Sequence, residues 1–321
     1  IPYFNTYIAQ SKEDRNRLTD AYLRMADCNY ISSKYWPAMD AYNKAIELKC
    51  VDADYAAFQK GMSYGFVNKN DKKIEDLTKF VSTYKTSQYL DDALYELGNT
   101  YTAEEMNDKA ISTFDNLINN NKNSAYVAKS ILKQGLIYYN TDKDDAAITK
   151  FKKVVAEFPN SPESLEAVAT AKSIYKANGK VGEYAAWVKT LSFVEVTDAE
   201  LDNDMYESAE KQYLNNSPKK AIEGFTSYLA QFPNGLHALK VHFYLAQLYF
   251  ADKLEKNAIP HYDYVIAQAR NEFTEQALVR LSEIHLKDKN CELAISVLKQ
   301  VETIAEFPQN TTFAQANLMK C

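Results

Sequence analysis

The chain has 321 residues, with 37 Lys and Arg against 43 Asp and Glu for a net charge of −6. Both signs are mixed along its length, which excludes the basic stripe of a nucleic-acid binder. Eight Gly and eight Pro, about 5% of the chain where roughly 12% is average, exclude folds built on many tight turns. The 24 Tyr, 15 Phe and 2 Trp supply large side chains for packing helices together.

No apolar run approaches the ~18 residues that span a bilayer, so no membrane span is expected in this segment. The richest run, 241–250, is interrupted by His242 and Gln247. Cysteines at 28, 50, 291 and 321 form no Cys-x-x-Cys pair, and neither Cys28 nor Cys50 has a His nearby. Neither a structural zinc site nor a disulfide framework is expected, and no metal or cofactor is implied.

Along the chain, Phe4, Tyr7 and Ile8 read as the tail of a preceding second helix. A first unit carries Tyr22, Ala26, Tyr35, Ala38, Tyr42 and Ala45. Then an internal ruler appears. Gly61, Gly98 and Gly135 are 37 residues apart, and Tyr64, Tyr101 and Tyr138 follow each by three. Ala110 and Ala147 keep the interval, as do Phe114 and Phe151, while Lys73 stands where the second small residue of the Gly61 unit is expected. Within one unit, Leu94, Leu97, Gly98 and Tyr101 predict one amphipathic helix, and Ala110, Ile111, Phe114, Leu117 and Ile118 a second. Small residues let the paired helices approach closely.

A unit near Ala171 is altered. Ser161-Pro162 predicts its start, as N-cap and first helical residue. Its second helix has Tyr184 and Trp187 but no small residue where one is expected, and Thr197-Asp198-Ala199-Glu200 reads as a capping box opening the next helix. Later units follow on Ala209, Ala246 and Ser282, and 309–321 reads as one first helix without its mate. Neither end looks like a polar cap, so the chain reads as a segment of a longer array. The expected organisation is an N-terminal array over 1–175, an altered repeat and connection over 176–200 that could bend, and a continuous C-terminal array over 201–321.

This pattern resembles the tetratricopeptide repeat. The resemblance implies an all-α, right-handed superhelical solenoid of antiparallel helix hairpins, about eight repeats plus a half repeat at each end. It implies a non-enzymatic scaffold that holds a protein or peptide partner in a concave groove lined by first helices. A substrate-receptor module of a larger enzyme and a self-assembly element are the alternatives. No catalytic motif competes with this reading. Gly179-Lys180 is followed by Val181, which is not a phosphate-binding loop, and His242 and His285 stand at packing positions.

The groove stripe is expected to carry Leu23 and Tyr30, Phe58, Tyr95 and Asn99, Leu132 and Tyr139, Tyr206 and Tyr213, and Phe243 and Phe250. Some family members clamp a carboxylate with a cation here. Leu23, Phe58 and Tyr95 stand where that cation is needed, so an apolar or aromatic segment is the expected ligand. The competing expectation is that the stripe is buried against neighbouring helices. Phe158-Pro159-Asn160-Ser161 resembles the hairpin exits of a bacterial envelope branch, which includes the Tol-Pal coordination protein and the β-barrel assembly lipoprotein. That resemblance implies a periplasmic or outer-membrane-associated role, with the cytoplasm as the alternative.

Overall fold

The computed structural model describes residues 1–10 and 14–321. Among these it has 18 α-helices and no strand. The chain divides into two compact units, residues 1–171 and 172–321.

The first unit holds α1 (Pro2–Gln10), α2 (Arg15–Ile31), α3 (Tyr35–Glu47), α4 (Ala53–Phe66), α5 (Asn70–Thr83), α6 (Leu90–Ala103), α7 (Asn107–Asn120), α8 (Val127–Asn140), α9 (Asp144–Glu157) and the start of α10 (Pro162–Ala177). The second holds the end of α10, α11 (Val181–Val188), α12 (Asp198–Leu214), α13 (Pro218–Gln231), α14 (Ala238–Ala251), α15 (Glu255–Ala267), α16 (Thr274–Lys287), α17 (Cys291–Ile304) and α18 (Pro308–Leu318). The helices pair as hairpins α2–α3, α4–α5, α6–α7 and α8–α9 in one unit, and α12–α13, α14–α15 and α16–α17 in the other.

Each hairpin turn is made the same way. One residue takes a positive φ: Ser33, Asn68, Glu105 and Asp142 in the first unit, and Gly179, Asn216, Lys253 and Lys289 in the second. The next N–H then bonds back five residues, as in Met106 N to Tyr101 O at 2.8 Å and Lys180 N to Tyr175 O at 2.8 Å. That bond satisfies a carbonyl left open at the helix end. From Glu105 to Lys253 these residues stand 37 apart. Gly179 keeps that register, so the turn of the altered repeat is an ordinary one. What differs is its second helix, which has eight residues, and the irregular stretch after it. Thr197 ends that stretch by accepting the Glu200 N–H at 3.2 Å, and Ser161 Oγ accepts from Ser164 N at 3.1 Å to cap α10.

The 37-residue glycines mark helix contacts. A Cβ at Gly98 would lie 2.5 Å from Phe114 Cε1, one at Gly135 2.5 Å from Phe151 Cε1, and one at Gly61 2.8 Å from Leu77 Cδ2. Phe114, Phe151 and Leu77 are fully buried. Elsewhere Ala26, Ala209 and Ala246 hold the position, and Tyr42, Phe225 and Tyr262 fill the core beside them.

The cysteine expectation needs correction. Cys291 and Cys321 form a disulfide with Cα atoms 5.4 Å apart. Helix α18 lies against α17, which returns the last residue to the beginning of α17. A spacing of 30 residues with no second pair nearby does not announce this. Cys28 and Cys50 are free.

Candidate functional site

The stripe predicted as a groove is largely used for packing between hairpins. Phe58 stacks on Tyr89 (centroids 5.5 Å), Tyr95 on Tyr126 (4.5 Å), Tyr206 on His237 (4.0 Å) and Phe243 on Phe273 (4.4 Å). Each covering ring is the residue just before the next first helix: α6, α8, α14 or α16. Tyr126 is further fixed because its hydroxyl donates to Asp92 Oδ1 at 2.7 Å. That bond, with some burial, pushes its hydroxyl pKa up to about 12.

Leu23, Phe58, Leu132, Tyr206 and Phe243 are accordingly buried. A ring covered on its open face cannot take a partner's ring. Tyr30, Tyr95, Asn99, Tyr213 and Phe250 are half-buried, and Tyr139 alone of the eleven is exposed, at 38%. Tyr213 stacks on Tyr244 at 4.7 Å, and the Arg280 guanidinium sits 4.9 Å over Phe250. The covering rings were missed from the sequence, yet they carry the ruler: Tyr126 follows Tyr89 by 37 residues and His237 follows Tyr126 by three such periods.

What stays open in the first unit is an aromatic edge at the hairpin turns. Tyr35 stacks on Phe66 at 4.7 Å, and Tyr30 meets both rings edge-on at 5.8 Å. Trp36 lies edge-on to Tyr64 at 6.4 Å. Phe66 is 54% exposed, Trp36 55% and Ile31 82%. Clustered exposure of this kind marks interaction surfaces, whereas scattered apolar residues do not.

Phe66 also borders a cleft of about 350 Å³, with Met62, Gly65, Asn70, Lys73, Glu96, Asn99, Thr100 and Ala103. Lys73, at the expected small-residue position, runs its stem past Gly65, whose Cβ would stand 3.3 Å from Lys73 Cδ. Its Nζ ends 2.8 Å from Glu96 Oε2. The cleft therefore has an apolar rim, a paired charge in its wall and the Asn99 amide for a polar backbone, while Asn70 Nδ2 donates to Glu104 Oε1 at 2.8 Å.

The second unit has a larger cleft of about 480 Å³ around Arg270, Glu275, Arg280, Glu283 and Glu306. Its charges are paired with one another: Arg270 with Glu306 at 2.6 Å and Arg280 with Glu283 at 2.8 Å. Glu275 accepts from Glu306 N (2.9 Å), Phe307 N (3.3 Å) and Asn310 Nδ2 (2.7 Å), fixing the start of α18. Burial alone would raise this carboxyl, but those bonds outweigh it and hold it below the usual range. This cleft is a structural joint.

Among the described residues no group of three or more His, Cys, Asp or Glu is placed to hold a metal ion. Among them, too, no helix is long and apolar enough to cross a membrane.

Residues 92–124 and 129–161, which hold the Gly98 and Gly135 units, match the model of the tetratricopeptide repeat family. These two segments are similar to tetratricopeptide repeats. Several solved structures are similar to the chain at low identity. MamA shares 22% identity over 61% of this chain and 94% of its own, with a TM-score of 0.44. A tetratricopeptide repeat protein from Parabacteroides merdae shares 12% over 83% and 98%, at 0.39. PilW, described as a widely conserved type IV pilus biogenesis factor, shares 17% over 70% and 99%, at 0.40. No curated protein sequence matches the chain. Tetratricopeptide repeats generally mediate contacts between proteins, and no enzyme family is indicated.

Proposed function

We propose that this chain is a non-enzymatic scaffold whose first unit binds an apolar or aromatic segment of a partner protein. The observation that carries the reading is the edge formed by exposed Trp36 and Phe66 with half-buried Tyr30 and Tyr35, beside the cleft of Met62, Lys73 and Asn99. Burying a partner's side chain against these rings supplies affinity. The Asn99 amide pairs with its backbone, so that its polar groups are not all stranded. The test is selection of binding peptides from a random library on the full chain, followed by Phe66→Ala and Asn99→Ala. Selected peptides enriched in aromatic or aliphatic residues, with binding lost in both variants at unchanged helicity, support the proposal. Peptides that bind both variants as tightly as the parent refute it.

The compartment we propose is an oxidising one, the bacterial periplasm or the outer-membrane surface. Two features support this: the Cys291–Cys321 pair, since disulfides persist in oxidising compartments, and the Phe158-Pro159-Asn160-Ser161 exit. Alkylating intact cells and measuring the oxidation of Cys291 tests it. A fully reduced thiol in vivo refutes it.

A further inference from the structure

Two of the four histidines meet in one hairpin. His242 on α14 and His261 on α15 face each other with Nδ1 atoms 2.9 Å apart. Neither is on the groove stripe. In the first unit Leu94 and Ile131 stand at the His242 position, and both are buried apolar residues. A ring nitrogen there does something a packing residue does not.

Both rings are held in place. Tyr264 lies parallel to His242 at 3.7 Å and 10°, and Tyr249 lies against His261 at 5.8 Å and 19°. Burial, with His261 beside it, pushes the His242 pKa down to about 4, and burial lowers that of His261 as well. Two Nδ1 atoms 2.9 Å apart share a single proton, so at least one presents a lone pair, the form that ligates metals. Without a metal, one Nδ1–H donates to the other Nδ1. Both residues keep part of their surface in solvent, so an ion with its waters has a way in.

We propose that His242 and His261 form a two-imidazole site for Cu(II), with water completing the coordination. The nitrogen spacing selects the ion. Bonds of about 2.0–2.1 Å to two neighbouring corners of a square set the nitrogens about 2.9 Å apart, the spacing already present. A tetrahedral ion such as Zn(II) needs about 3.3 Å, wider than the separation present. Each ring swings its lone pair off the N–N line toward the ion, and the bridging proton moves to the other ring nitrogen. Imidazole donors and the general order of divalent affinities favour copper in the same direction. Two protein donors do not make a closed structural site, in keeping with the lack of a third His, Cys, Asp or Glu among the described residues.

The test uses the full chain without an affinity tag, titrated with Cu(II) and separately with Zn(II) in a non-coordinating buffer at neutral pH, with glycine as competitor. One Cu(II) is expected to bind per chain, with nitrogen coupling of imidazole in the electron paramagnetic resonance spectrum. Affinity should fall by about tenfold or more in His242→Gln and in His261→Gln, and be unchanged in His237→Gln. Zn(II) should bind at least about tenfold more weakly than Cu(II). Absence of a saturable site at micromolar Cu(II), a spectrum without imidazole nitrogen, or full affinity in either glutamine variant overturns the proposal. If those variants lose helicity, the parent chain decides: Cu(II) must slow ethoxyformylation of His242 and His261, and unchanged rates overturn the site.

Discussion

Replacing Gly98 by Ala tests whether helix approach is what requires glycine. In a helix interior the exchange alone should stabilise by about 1 kcal/mol. Against this, the new Cβ would lie 2.5 Å from Cε1 and 2.7 Å from Cζ of Phe114. That ring is fully buried and has Tyr95 at 6.1 Å on its flank, so it has little room to yield. Overpacking of this kind costs roughly 1–3 kcal/mol, which leaves a net loss of about 1 kcal/mol. Phe114→Ala alone should cost roughly 3–5 kcal/mol. On that background the obstruction is gone and Gly98→Ala should gain about 1 kcal/mol. The sign reverses, and the cycle yields a coupling of about 2 kcal/mol. Because repeats open as nearly independent neighbours, the assay is hydrogen exchange of the α6 and α7 amides in all four chains. An equal gain in both backgrounds would show that close approach to Phe114 is not why position 98 is glycine.

Other substitutions and conditions separate packing from surface. Phe243→Ala, which removes a covered ring, should lower the stability of the α14–α15 hairpin by roughly 3–5 kcal/mol, while Tyr139→Ala should change stability by less than about 0.5 kcal/mol; urea titration compares them. Reducing Cys291–Cys321, which closes a loop of 30 residues, should loosen α18 by up to roughly 3–4 kcal/mol. Exchange of the α18 amides before and after reduction measures this. Acid should weaken the second unit. His242 protonates near pH 4 when folded and near 6.5 when unfolded, so from 6.5 down to 4 only the unfolded chain gains that proton and stability falls. His242→Phe should flatten the urea midpoint over that window.

The hairpins were legible because their determinants are local and repeated. Gly98 and Gly135 announce close approach, and Phe114 and Phe151 announce what approaches. Thr197 caps α12 because a hydroxyl three residues before a free N–H needs no distant partner. The site was less legible. Helical spacing places Phe58 and Tyr206 on one face of a helix, but it does not say what lies across from that face. The covers Tyr89 and His237 arrive from the next hairpin. Their 37-residue recurrence was present in the sequence, but loop residues draw no attention from a helical pattern. The edge of Tyr35, Trp36 and Phe66 occurs once, so no periodicity could reveal it. Cys291 and Cys321 meet only after α18 has docked.

The stacked rings also give the chain a direction of assembly. Each platform ring precedes its cover by 31 residues, or 30 for Phe243. At a synthesis rate of about 5–20 residues per second, the cover follows its platform by roughly 2–6 s. A hairpin can form on its own local contacts in far less time, so it waits, open on one side, for its successor. A chain stalled on the ribosome between a platform and its cover ends in a bare aromatic ring. That ring is the surface a chaperone would meet, and it moves one hairpin toward the C-terminus each time a cover arrives.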